Sequence, residues 1–326
     1  MPLSMFTLAE LEAALPVVRA AVPPTPQYAW PLLCERLGAQ VVVKHENHTP
    51  IGSFKVRGGL TYFDRLQRER PRVKGVVSAT RGNHGQSLAF AGARAGVAVS
   101  IVAPVGNSAE KNAAMRAFGA ELIEHGRDFD EARARAEGFA AEHGLEYAPS
   151  FHKDLVVGVA TYAYELFTSA GELETVYVPI GLGSGICGVI GARDALGLRT
   201  RVVGVVSDKA ACYSLSLKKN SVVQTESAAT FADGVAVRVP DPGALEVIRR
   251  GAERVVEVSD DEIAEAIRIL FSDTHSTAEG AGAAALAGFL KSRTSSERRT
   301  AVILTGQNID RAVMREVLAG DTPRVA

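Results

Sequence analysis

Gly52-Ser53-Phe54-Lys55-Val56-Arg57-Gly58-Gly59 follows an apolar run, Val41-Val42-Val43, and a loop from His45 to Pro50. The run reads as a strand, so the octapeptide lies beyond a strand's carboxyl end, where open α/β sheets bind ligands. Lys55 is flanked there by small and apolar residues and by glycines that permit close approach. Such a setting suits an amine held in a pocket, where desolvation or a neighbouring cation lowers its pKa and makes it a Schiff-base former. Alone, Lys55 reads more readily as an ordinary lysine at a helix start. Its company decides the matter.

Outward from this segment, strand-like apolar runs at 41–44, 75–78, 97–102 and 121–123 form one set, and those at 176–180, 202–206 and 301–304 a second. Ala- and Glu-rich stretches at 108–118, 131–143 and 260–271 carry helical spacing between them. Buried strands alternating with helices predict an α/β fold with mostly parallel sheets. At 326 residues the chain exceeds one compact core, which predicts two lobes. The net charge of −1 leaves no electrostatic footprint for nucleic acid or an anionic membrane. Cys34, Cys187 and Cys212 have neither metal-ligand spacing nor a CxxC pairing, which suits a reducing compartment. The N-terminus lacks the pattern of a signal peptide, and no apolar run reaches the ~20 residues of a bilayer span. A cytoplasmic protein is expected.

Three further loops follow strands. Ser78-Ala79-Thr80-Arg81-Gly82-Asn83-His84-Gly85 holds an amide, Asn83, and one cation, Arg81, whose position points to an anion. Gly181-Leu182-Gly183-Ser184-Gly185 reads as a strand-to-helix turn whose N–H groups suit a phosphate, although a plain tight turn accounts for it equally. It is neither a P-loop nor a dinucleotide fingerprint. Thr305-Gly306-Gln307-Asn308 places a hydroxyl at the end of a buried strand, where it needs a partner. His45 and His48 lack a further ligand pattern, so no metal site is expected there.

Taken in order, these segments resemble the fold type II (tryptophan synthase beta-like) pyridoxal-phosphate enzymes, in the branch of serine/threonine dehydratases and serine racemase. Ser53 to Gly58 matches the family's Ser-Phe-Lys-x-Arg-Gly, and Gly82 to Gln86 its Gly-Asn-His-x-Gln. Gly181 to Ser184 matches its tetraglycine loop imperfectly, and Thr305 to Asn308 its Ser-Gly-Gly-Asn. The resemblance implies pyridoxal 5'-phosphate as cofactor, held covalently by Lys55. It further implies Phe54 and Asn83 against the cofactor, the latter at its 3-hydroxyl. Gly181, Leu182, Gly183, Ser184 and Gly185 would hold the phosphate, and Thr305 the pyridine nitrogen. Ser53, Thr80, Arg81, Gly82 and His84 would surround the substrate. It implies a large cofactor domain of residues 1–65 and 146–326, a small domain of 66–145, no C-terminal regulatory domain, and allows a homodimer.

The implied activity is a β-hydroxy-amino-acid ammonia-lyase acting on L-threonine, L-serine or L-phenylserine. The last follows from the segment His45 to Pro50 and the Thr80-Arg81-Gly82-Asn83-His84 variant. A racemase, a β-replacement synthase, or a non-catalytic phosphate- or nucleotide-binding protein are the alternatives. Arg81 replaces the residue that serves serine racemase as second base, which speaks against racemisation. Val206 and Cys212 stand where metal-dependent relatives align carboxylates, with Lys209 nearby, so no divalent metal is expected.

Overall fold

The computed structural model describes residues 5–294 and 299–325; Met1 to Ser4 of the N-terminal reading lie outside them. Among the described residues ten strands make two sheets: β1 Gln27–Ala29, β2 Gln40–His45, β3 Val76–Ala79, β4 Val99–Ala103, β5 Glu121–Glu124, β6 Glu146–Tyr147, β7 Thr175–Pro179, β8 Arg201–Ser207, β9 Arg254–Val258 and β10 Arg299–Leu304. The larger sheet runs β1-β2-β10-β7-β8-β9 and the smaller β5-β4-β3-β6. Every pairing is parallel except β1 with β2, which is antiparallel.

The uninterrupted apolar runs follow from burial on both faces. Val42, Val176, Val178, Val202, Ala301 and Ile303 pack into a core with the helices Lys153–Ser169 and Ser184–Ala195. Val41, Val43, Tyr177, Val203, Val302 and Leu304 face the opposite way, onto Asp260–Thr274 and Gly280–Ser292. Successive side chains alternate between two apolar layers, so the strand has no polar face to show. The small sheet has its own cores, one around Val76, Val99 and Ile101 and another around Val77 and Val102. Because β6 pairs with β3, this sheet runs across the 145/146 boundary read from the sequence.

Two helices, Lys55–Glu69 and Lys153–Ser169, cross unusually closely. A Cβ on Gly58 would lie 2.7 Å from the Leu155 carbonyl oxygen, and one on Gly158 2.3 Å from that of Arg57. Glycine at both positions lets the backbones touch, which fixes the register of the helix that begins at Lys55. No described helix is long and apolar enough to cross a membrane.

Candidate active site

Lys55 opens its helix from a loop that is tied to the end of β10. Ser53 and Gly306 form an antiparallel bridge. The Phe54 N–H donates to the Thr305 carbonyl (3.1 Å) and the Gln307 N–H to the Gly52 carbonyl (2.9 Å). Gly52 is left-handed (φ 68°), and a Cβ there would sit 2.8 Å from Asn308 Oδ1. The Ser53 hydroxyl accepts the Lys55 N–H (3.2 Å). From this seat the Lys55 amine reaches Ser184 Oγ at 3.1 Å and lies 5.2 Å from the Phe54 ring centroid. Burial brings the amine down to about 8. An amine at that value is partly neutral near physiological pH, as a nucleophile or base requires.

Ser184 begins the helix Ser184–Ala195, which has no side-chain cap. Its first N–H groups and the positive end of its dipole are therefore available to an anion. The approach is a glycine cradle. A Cβ on Gly181 would lie 2.2 Å from the Gly234 carbonyl oxygen, and one on Gly183 (φ 103°) 2.6 Å from Ala244 Cβ. The Tyr213 hydroxyl donates to the Leu182 carbonyl (2.9 Å) while accepting the Asp241 N–H (3.0 Å), which pins the loop from behind.

The third wall follows β3. Thr80 is buried and its hydroxyl accepts the Gly82 N–H (3.2 Å). Arg81 is exposed, with its carbonyl accepting from Asn107 (3.0 Å). Asn83 begins the helix Asn83–Ala95 rather than capping it. His84 is buried, and burial, then the nearby Lys55, push it down to about 3, so its ring is neutral. Its Nε2 has no partner among the described residues. Thr305 is buried, with its hydroxyl only 3.4 Å from the Ala281 carbonyl.

Glu279, Lys111 and Asp233 were not singled out by sequence reasoning, and Asn308 was read only as the end of its segment. Glu279 accepts from Asn83 Nδ2 at 2.6 Å, and Asn308 donates to Asn83 Oδ1 at 2.7 Å. Burial pushes the Glu279 carboxyl up to about 7. Lys111 pairs with Asp233 beside Gly82. The available signal was an acid stranded in Thr277-Ala278-Glu279-Gly280-Ala281-Gly282, among neighbours unable to pair with it. Elsewhere, Val206 and Cys212 are buried, and the Lys209 amine lies 2.8 Å from Asp260 Oδ2.

The sequence profile described as "Pyridoxal-phosphate dependent enzyme" matches residues 18–306. The chain belongs to this family. Its cofactor is pyridoxal 5'-phosphate and its fold is type II. The site suits that group: an enclosed amine of lowered pKa stands beside an uncapped helix start and a cradle that a Cβ would fill. Among curated relatives, a biosynthetic L-threonine dehydratase of Salmonella typhimurium is 34% identical over 290 residues, covering 88% of this chain and 56% of that protein. The chain thus spans little more than half of that relative's length. An L-threo-3-hydroxyaspartate ammonia-lyase of Saccharomyces cerevisiae is 29% identical over 305 residues, covering 93% of each. Among solved structures, the processed form of threonine deaminase isoform 2 from Solanum lycopersicum superimposes with a TM-score of 0.87 at 30% identity, covering 97% of this chain and 95% of the other.

Proposed function

We propose that this family member is an ammonia-lyase that converts a β-hydroxy-α-amino acid to a 2-oxo acid and ammonia by β-elimination, with Lys55 as its cofactor-bearing base. The carrying observation is the enclosed Lys55 amine, 3.1 Å from the Ser184 hydroxyl at the mouth of the glycine cradle. Gly181 to Gly185 would hold the phosphate through backbone N–H groups and Ser184 Oγ. Asn83 would offer an amide N–H to the 3-hydroxyl, Phe54 would flank the ring, and Thr305 would meet the pyridine nitrogen. When bound, the cofactor draws electrons from the substrate's α-carbon and so acidifies the α-proton.

Lys55 then removes that proton as general base. The Ser53 and Thr80 hydroxyls would orient the substrate carboxylate through hydrogen bonds, Gly82 and neutral His84 would line its pocket, and Arg81 would add a screened positive charge at the rim. The proton that Lys55 has accepted balances the one the β-hydroxyl needs to depart as water, and the released enamine tautomerises to an imine that water hydrolyses to the 2-oxo acid and ammonia. Thr305, a neutral hydroxyl, cannot protonate the pyridine nitrogen as a carboxylic acid would, which favours elimination over transamination. Threonine, serine, phenylserine and 3-hydroxyaspartate form the substrate set. The small domain read as 66–145 extends through β6, Glu146–Tyr147, and the large domain takes up the chain on either side of it.

The test is 2-oxo acid release from each of the four amino acids by the purified holoenzyme. One substrate should turn over well ahead of the others. Absence of release from all four, with the cofactor bound, would overturn the reading.

A further inference from the structure

The orientation of the Asn83 amide is fixed by a chain of contacts that starts at a backbone carbonyl. Asn308 Nδ2 lies 2.8 Å from the Ile51 carbonyl oxygen, which can only accept, so that end of Asn308 is its NH2. The same NH2 faces Asn83 at 2.7 Å, so the Asn83 atom there is the acceptor Oδ1. Asn83 Nδ2 therefore points to the Glu279 carboxyl, 2.6 Å away. A flip of Asn83 would set N–H against N–H at one end and oxygen against carboxylate at the other. One N–H of Asn83 remains uncommitted among the described residues.

Glu279 is itself held firmly. It caps the helix Gly280–Ser292, and its N–H donates to the Gly306 carbonyl at 3.1 Å. Room for its carboxyl exists because residue 306 has no side chain: a Cβ there would lie 2.4 Å from Glu279 Oε1.

We propose that Glu279 is a positioning residue that, with Asn308, aims the free N–H of Asn83 at the cofactor's phenolic oxygen. The inference rests on the reading that Asn83 faces the cofactor. The carboxyl gains and loses its proton around pH 7, where burial holds it against the opposing pull of Lys111 and with the added push of Asp233. Asp310 also acts on Lys111, and His84 stays neutral there. Proton loss turns the carboxyl into a charged acceptor, which strengthens its hold on Asn83.

The experiment uses holoenzyme variants and reads the visible absorbance of the bound cofactor against pH, together with cofactor half-saturation on reconstitution. Asn83→Ala should move both. Glu279→Ala should shift the band and weaken cofactor binding by about tenfold, the worth of one hydrogen bond to a charged group. Glu279→Gln keeps an acceptor oxygen, so it should restore affinity while flattening the change in the band around pH 7. If Asn83→Ala moves neither quantity, the cofactor reading of Asn83 fails and this inference with it. If Asn83→Ala moves them but Glu279→Ala does not, or if Gln and Ala behave alike, the positioning role alone is overturned. Should Glu279→Ala not fold, Asn308→Ala frees the other end of the amide and must shift the band in the same direction; an unchanged band overturns the proposal.

Discussion

Two polar clusters serve the segment that begins at Lys55, one buried and one half-buried, and they are built on opposite plans. Two residues beyond Lys55, the Arg57 guanidinium bonds Glu46 through Nε (2.8 Å) and Nη2 (3.0 Å) and Glu165 through Nη1 (2.8 Å) and Nη2 (2.9 Å). Lys44 adds a contact to Glu165 (2.8 Å) and one to the Thr25 carbonyl (3.0 Å). Two cations there answer two carboxylates. Although burial opposes it, the two carboxylates hold the Arg57 proton above its usual range, and Arg57 with Lys44 keeps Glu165 below its own. Arg57 and Glu165 are thereby held in their charged forms at neutral pH, while burial lowers the Lys44 amine. The cluster around Asn83 is lopsided, with Lys111 feeling three carboxylates, Asp233, Glu279 and Asp310. One of them, Glu279, is left able to change protonation near neutrality. The balanced cluster bolts the helix to β2 and the Lys153–Ser169 helix, while the unbalanced one stays chemically adjustable around Asn83, the proposed cofactor contact.

The comparison can be broken at several points. Lys55→Ala should abolish covalent cofactor attachment and essentially all 2-oxo acid release, since neither cluster can act without the amine they position. Near-wild-type turnover in this variant would sink the assignment. Arg57→Met leaves Glu46 and Glu165 buried without their shared cation, and breaking such a pair costs about 3–5 kcal/mol. A urea melt checks this, and a midpoint close to the parent's would deny the cluster its scaffold role.

The adjustable cluster predicts a slope instead of a loss. Burial lets the folded protein keep the Glu279 proton up to about 7, whereas an ordinary glutamate carboxyl loses its proton near 4.5. The stabilisation from this proton is complete below the lower value and is lost as pH rises through the higher one. In protein stripped of cofactor, Glu279→Gln should therefore melt higher, relative to the parent, at about pH 8 than at about pH 5. Equal differences at the two pH values would place Glu279 with the locked charges.

Smaller effects follow at the rim. Arg81 is exposed, so its contribution to an anion is screened to about 1 kcal/mol or less. Arg81→Ala should raise the Michaelis constant a few-fold with cofactor retention unchanged; weaker retention would move Arg81 to the phosphate. Exhaustive chelation should change activity least. Lys209 already pairs with Asp260, and Val206 and Cys212 offer no hard oxygen side chain. A large loss restored by magnesium or calcium would contradict this.

The central strands were readable because burial on both faces leaves runs of valine without polar residues, as in Val41 to Val43 and, around Gly204, Val202 to Val206. β1 is three residues long, β6 two, and β9 alternates charge as Arg254-Val255-Val256-Glu257-Val258, so none of them carries that signature. Lys55, Asn83 and the glycine loop were legible because their neighbours are small. Glu279 was not: its meaning comes from Asn83, 196 residues earlier in the chain. Arg57 shows the same limit. Nothing beside it announces partners 11 and 108 positions away.

β10 lies between β2 and β7, in the interior of the large sheet, although it is the last described strand in sequence. A ribosome delivers it after every neighbour it must separate. Until residues 299–308 emerge, β2 and β7 have no common partner, and Ser53 has no Gly306 to bridge. The seat of Lys55 is therefore completed only after β2, β7 and the strands beyond them have emerged, by the strand that joins them. Contacts this distant in sequence make for slow closure, and during that interval β2 and β7 present unpaired strand edges of the kind that chaperones cover.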